Sequence, residues 1–309
     1  MPDPARAFEL GLGVQTNLAA DAYAEVGRFA EDAGFDVVSV FHDLGFQPAI
    51  VPLTVIARAT ERVRIGPAAL NPWTLHPFEI AAQIAALDVV SDGRAYAGLA
   101  HGAWLDELGI EPAKPVEAMR EAVEIVRRVL AGDTSGFEGE RFRLAPGRGL
   151  HFERRRDAVP LLLGTWRPRM AALAGEVADE LKIGGCASPD MARLVRSWIG
   201  NDGVRLVTGA VTVVDEDGDA ARALARERVE LYLPVVGELD VTLDLEPGEP
   251  LPLDPFVLAG TPDDVTARIE ALADAGVERV ELGPPWGTTT ERGLRLLAER
   301  VLPRLRRLA

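Results

Sequence analysis

The chain has 309 residues, 48% hydrophobic and 26% charged, which is enough apolar content to bury a full core. Its formal net charge of −15 argues against a nucleic-acid surface, and no run approaches the length of a membrane span. A single cysteine, Cys186, excludes a disulfide framework, and the N-terminus shows no basic segment followed by an apolar run. A soluble cytoplasmic protein without a membrane or nucleic-acid partner is expected.

Strand-like apolar runs fall at 8–14, 36–41, 63–70, 94–100, 159–163, 180–183, 205–214 and 277–282. Helical patterns lie between them, near 21–33, 48–60, 77–90, 115–131, 168–178, 189–199, 218–232, 262–275 and 290–306. Eight strands separated by helices predict an α/β fold, a (β/α)8 TIM barrel formed as one domain over 1–309. Helix starts are well marked: Thr261-Pro262-Asp263-Asp264 supplies a cap, a first-turn proline and first-turn acids, and Ser188-Pro189-Asp190 repeats the pattern. Two stretches break the alternation and are expected as insertions, 132–158 after strand four and 234–256 on the strand-seven side.

In such barrels the C-terminal strand ends carry the chemistry. Strand two ends at His42-Asp43, an imidazole beside a carboxylate, suited to giving or taking a proton or to holding a ring nitrogen. The competing reading makes Asp43 a turn cap and His42 a solvated side chain. Strand three runs into Asn71-Pro72-Trp73-Thr74-Leu75-His76-Pro77, where two prolines force extended or turn geometry; Trp73 is expected to cover a planar ligand, against a competing reading in which Pro77 only starts a helix and Trp73 only packs a barrel end. Strand four ends at Gly98-Leu99-Ala100-His101-Gly102-Ala103-Trp104, whose small residues let a flat ring approach, with His101 beside it; tight barrel packing asks for the same residues.

Strands five and six end in Gly164-Thr165-Trp166-Arg167-Pro168-Arg169 and Gly184-Gly185-Cys186-Ala187-Ser188, each opening a helix. Free amides at helix starts, reinforced by Arg167 or Arg169, make an anion site suited to phosphate, with ordinary helix capping as the competing reading. No GxGxxG or GxxxxGK[ST] motif is present, and His42, His76, His101 and His151 are too scattered to form a metal motif, so no metal is expected.

Three segments, GPAALNPWTLHPFEIAAQIAALDVVSDGRAYAGLAHG, VPLLLGTWRPRMAALAGEVADELKIGG and FVLAGTPDDVTARIEALADAGVERVELGPP, resemble the bacterial luciferase-like superfamily. The resemblance is to its branch dependent on the deazaflavin coenzyme F420, similar to methylenetetrahydromethanopterin reductase, and it spans nearly the whole chain. It implies a barrel, often dimeric, that binds F420 or FMN at the strand C-terminal ends. By this resemblance Gly164, Thr165, Arg167, Pro168 and Arg169, with Gly184, Gly185, Cys186 and Ala187, would hold the cofactor phosphate. A bulge at Ala68, Ala69 and Asn71, with a cis peptide between the two alanines, would back the ring, with Gly102 also at the cofactor. The chain departs from the family where relatives often show Asp-His or Asp-Asp at the strand-two end, and where the reductase carries an acid in its first strand, here Gly11-Leu12-Gly13-Val14-Gln15.

The expected function is F420-dependent hydride transfer to or from a small organic substrate. Asp43 and His42 are the expected proton or ring-contact groups, His101 stands behind them, and Trp73 and 132–158 shape the substrate side. The alternatives are an FMN-dependent luciferase-like monooxygenase and a non-catalytic cofactor-binding barrel. A homodimer follows from the resemblance alone.

Overall fold

The computed structural model describes residues 8–230, 232–246 and 249–308. Chain order runs β1 (Glu9–Val14), α1 (Ala20–Ala33), β2 (Val37–Val40), α2 (Ile50–Ala59), β3 (Arg64–Pro67), α3 (Pro77–Val90), β4 (Ala97–Ala100) and α4 (Pro115–Ala131). A short hairpin follows, β5 (Phe137–Glu138) and β6 (Arg143–Leu144), and then β7 (Leu161–Gly164), α5 (Pro168–Val177), β8 (Glu180–Gly184), α6 (Pro189–Ile199) and β9 (Arg205–Val214). The last part comprises α7 (Gly218–Val229), α8 (Leu233–Leu239), β10 (Val257–Gly260), α9 (Pro262–Asp274), β11 (Arg279–Gly287) and α10 (Thr290–Leu296).

Parallel pairing follows the order β3-β2-β1-β11-β9-β8-β7-β4, and bridges Ile65–Ala95 and Leu70–Leu99 join the two ends. The result is the expected eight-stranded TIM barrel. Buried four-residue strands such as Val37–Val40 pack outward against the helices, which carry their own apolar faces, and this layer holds most of the core. No helix among the described residues is long and apolar enough to cross a membrane.

The caps sit where the sequence puts them. The Thr261 hydroxyl accepts from the Asp264 N–H while the Asp264 carboxylate accepts from the Thr261 N–H, a complete capping box on α9, and the Ser188 hydroxyl accepts from the Met191 N–H at the start of α6.

Both insertions carry more structure than their composition suggests. Residues 132–158 hold the β5–β6 hairpin, fastened to α4 where the Glu121 carboxylate accepts from the N–H groups of Glu140, Arg141 and Phe142. Residues 234–256 include most of α8 and lead into β10, a strand that the sequence reading misses. It pairs with the second half of β9 through Val211–Val214, while β8 occupies the first half of the same edge through Arg205–Gly209. At four residues directly after a proline-rich stretch, β10 is too short to show a period.

The barrel interior is charged. Arg279, fully buried, donates to Glu180 Oε1 at 2.7 Å and, through Nε, to Glu281 Oε1 at 3.1 Å. The Ser39 hydroxyl donates to Glu281 Oε1 at 2.8 Å and lies 2.7 Å from the Tyr96 hydroxyl, and Lys182 pairs with Glu281. Arg64 and Arg205 extend the network to Glu9 at 2.6 and 2.7 Å. Gly11 and Gly13 on β1 make room for it: a Cβ would stand 2.7 Å from Glu281 Cγ at Gly11 and 2.8 Å from Phe41 Cζ at Gly13. Lys182 Nζ lies 5.4 Å from the centre of the Phe41 ring, so the network props up the residue that precedes His42-Asp43.

Candidate active site

The C-terminal strand ends bring the rim residues together. Past the end of β1, Gln15 donates from Nε2 to Asp43 Oδ2 at 2.9 Å, and its own Oε1 accepts from the Thr16 N–H at 2.8 Å, which fixes which way the amide faces. Asp43 is therefore not a turn cap through its side chain. One carboxylate oxygen is occupied by Gln15, the last residue of the stretch 11–15 that carries no acid.

His42 is not simply solvated either. Its Nδ1 accepts from the backbone N–H of Ala49 at 3.2 Å, at the entry to α2, a helix whose own N-cap residue offers no side-chain cap. Burial pushes its pKa below the usual imidazole range, against the opposing pull of Asp43. His101 differs: its Nδ1 lies 3.1 Å from the Gly102 carbonyl oxygen, which can only accept, so Nδ1 carries the proton.

Trp73 and His101 face each other at 5.9 Å between ring centres. Asn71 is buried, and its Oδ1 accepts from the N–H groups of Trp73 and Thr74 at 3.1 and 2.9 Å, which pins the elbow after β3. The Ala68–Ala69 peptide is cis, where the resemblance puts it. Gly102, with φ at +86°, lies against Asn71 and has room for no larger side chain without displacing it. His76 is a cap, its Nδ1 accepting from the Phe78 N–H at 3.1 Å.

Three residues at the mouth are not singled out by the sequence reading, although Trp104 and Arg141 lie in segments that it names. Arg141 at the hairpin turn places its guanidinium 5.4 Å from the Trp73 ring centre, so 132–158 does reach the Trp73 side of the mouth. Trp104 packs edge-on against Tyr232 at 5.8 Å. Burial and the charge of Asp43 raise the pKa of the Tyr232 hydroxyl, placing that ring within the field of the rim acid. These contacts join loops far apart in sequence, and no local pattern signals them.

The two glycine-rich loops are not equivalent. In the first, the Thr165 hydroxyl accepts from the Arg167 N–H at 2.9 Å, and α5 then starts with no side-chain cap at Arg167 and with proline at its first position. Its next N–H groups point out of the helix start without intrahelical partners. Arg167 and Arg169 are exposed there, Arg169 within 3.5 Å of Glu117. In the second loop the N–H of Cys186 donates to the Gly209 carbonyl at 3.0 Å and that of Ala187 to the Pro255 carbonyl at 2.6 Å. Ser188 caps α6. The expectation of anion-binding amides at Cys186 and Ala187 is therefore corrected: both are spent on the fold, and both side chains are buried. Gly184 remains open, since a Cβ there would meet nothing within 4 Å, whereas one at Gly185 would stand 3.1 Å from Val236 Cγ1. Burial raises the Cys186 thiol to about 12, so it packs as a small apolar group. Among the described residues, no group of three or more His, Cys, Asp or Glu could hold a metal ion.

The solved coenzyme F420-dependent tetrahydromethanopterin reductase of Methanopyrus kandleri matches the model with a TM-score of 0.86 at 24% identity, over 97% of this chain and 99% of that one. In sequence the chain is 29% identical to the 5,10-methylenetetrahydromethanopterin reductase of Archaeoglobus fulgidus, covering 90% of its own length and 94% of that protein's. It is 28% identical to the F420-dependent glucose-6-phosphate dehydrogenase of Microbacterium testaceum, covering 92% of its own length and 93% of that protein's. The family model described as luciferase-like monooxygenase matches residues 7–279, from just before β1 to the first residue of β11, and the chain belongs to that family.

Proposed function

We propose that this chain is an F420-dependent oxidoreductase that transfers a hydride between the deazaflavin and a small organic substrate at the C-terminal mouth of the barrel. The observation that carries this reading is the uncapped start of α5 beside exposed Arg167 and the open strand end at Gly184. An unpaired helix start with a guanidinium next to it favours an anion such as the cofactor phosphate. The matching F420-dependent reductase and dehydrogenase relatives support the choice of cofactor.

The residues present fit the group. Gly164, Thr165, Arg167 and Arg169 would hold the phosphate with Gly184 and Gly185, and the small residues Ala68, Ala69 and Gly102 would admit the flat ring. When bound, the deazaflavin supplies the hydride chemistry. The protein's part is to bind, orient and exclude water. Asp43, steadied by Gln15, offers an acceptor at the rim, while Trp73, Arg141, Trp104 and Tyr232 wall the substrate side.

Separate fluorescence titrations with F420 and FMN test this reading. Tight F420 binding with weak FMN binding is expected. The reverse preference would replace it with an FMN-dependent monooxygenase, and binding of neither would remove the phosphate assignment.

A further inference from the structure

We propose that His42 is a hydrogen-bond donor of fixed direction, its tautomer locked by the Ala49 amide, and that the substrate atom it meets is an acceptor, a carbonyl oxygen or an imine nitrogen. The substrate half of this statement rests on the function proposed above; the lock does not.

The lock follows from donor and acceptor counting. A backbone N–H can only donate, so the ring nitrogen that receives it at 3.2 Å carries no proton. A neutral imidazole with Nδ1 bare has its single proton on Nε2, which has no protein partner among the described residues. Ala49 is fully buried, and a buried N–H needs a partner. Protonating Nδ1 would set two donors against each other and leave that amide unpaired. Burial of the ring works in the same direction, and among the described residues the charge of Asp43 opposes it.

The neighbouring carboxylate completes the assignment. Asp43 Oδ2 is taken by Gln15, whose amide cannot turn over without losing Thr16. Two adjacent rim residues thus present opposite characters, His42 giving a hydrogen bond through Nε2 and Asp43 receiving one. Polarising a carbonyl or imine by such a donor favours hydride addition at its carbon, and the neutral ring does so without acting as a base.

Long-range nitrogen–proton NMR correlation of protein labelled with 15N-histidine tests the lock without any ligand. His42→Gln identifies the His42 signals by their loss, and His76, whose Nδ1 also accepts a backbone N–H, serves as an internal standard. The expected result is a bare Nδ1 and a protonated Nε2 at neutral pH, with the ring titrating only below the ordinary imidazole midpoint. A protonated Nδ1, or titration at the ordinary imidazole midpoint, would overturn the proposal. Ala49→Pro deletes the one N–H at a φ of −54° that proline already adopts. It should release the lock, giving mixed tautomers and a ring that titrates at higher pH; a folded variant with an unchanged spectrum would also overturn the proposal. If that variant fails to fold by circular dichroism, the native spectrum decides alone. Because neither cofactor enters these spectra, a failed F420 titration would undo the proposed function and leave the lock standing.

Discussion

Gln15 and Asp43, past the ends of neighbouring strands β1 and β2, meet at 2.9 Å, and this contact makes the amide at position 15 a working part of the rim. Replacing it by a carboxylate would put two acids at hydrogen-bond distance, where they cannot readily ionise together. In Gln15→Glu the acid limb of the pH profile of kcat/KM should move to higher pH. Gln15→Leu removes one hydrogen bond to the charged form, so it should move the limb the same way by less and lower kcat/KM roughly tenfold. Identical profiles in all three proteins would show that Asp43 needs no such support.

Lys182 and Glu281 form the uppermost ion pair of the barrel interior, and both are almost wholly buried. A buried pair adds little net stability over an apolar pair, but removing one partner strands the other. Lys182→Met should therefore cost about 3–5 kcal/mol in urea denaturation. A loss below about 1 kcal/mol would mean that water or Arg279 neutralises Glu281 unaided.

How much of this was legible depends on which force fixes each feature. Buried parallel strands read as apolar runs, and caps read as Thr-Pro-Asp-Asp or Ser-Pro-Asp, because both signals are local. The interior network has a local signature too: Glu180 and Lys182, like Arg279 and Glu281, are two residues apart in strands and so share one face. In a barrel whose outer face is covered by helices, that face is the interior, and charges there must pair. Strand β10 offers only Val257-Leu258-Ala259-Gly260 and is fixed by pairing with β9. Tyr232 and Trp104 reach the mouth because two loops meet there, which no stretch of sequence encodes by itself. The capture of the Cys186 and Ala187 amides depends on where Gly209 and Pro255 fall in space.

Acid stability gives a separate handle on the network. Burial alone would raise the Glu180 carboxyl above its usual 4.5, yet attraction and hydrogen bonding from Arg279, with Arg64 and Arg205 adding to it, hold it at about 2. A depressed carboxyl stabilises the fold fully above about pH 4.5 and loses that contribution as the pH falls towards about 2. The urea midpoint of the native protein should fall steeply across that window. Glu180→Gln should start lower and show a flatter dependence, since it has no charge there to lose. Parallel curves would place the acid sensitivity elsewhere.

The inequality of the two glycine-rich loops predicts unequal mutants. Arg167 is exposed beside an uncapped helix start, so Arg167→Ala should weaken F420 binding by about 10- to 100-fold, the range for one charge-assisted hydrogen bond, with little change in folding stability. Ser188 instead serves its own helix through the Met191 N–H. Ser188→Ala should cost about 1 kcal/mol in denaturation while leaving F420 affinity within about twofold. Fluorescence titration and urea unfolding of both variants separate the two roles. The opposite pattern, affinity lost with Ser188 and kept without Arg167, would move the anion from α5 to α6 and require the Ser188 cap to open when the cofactor binds.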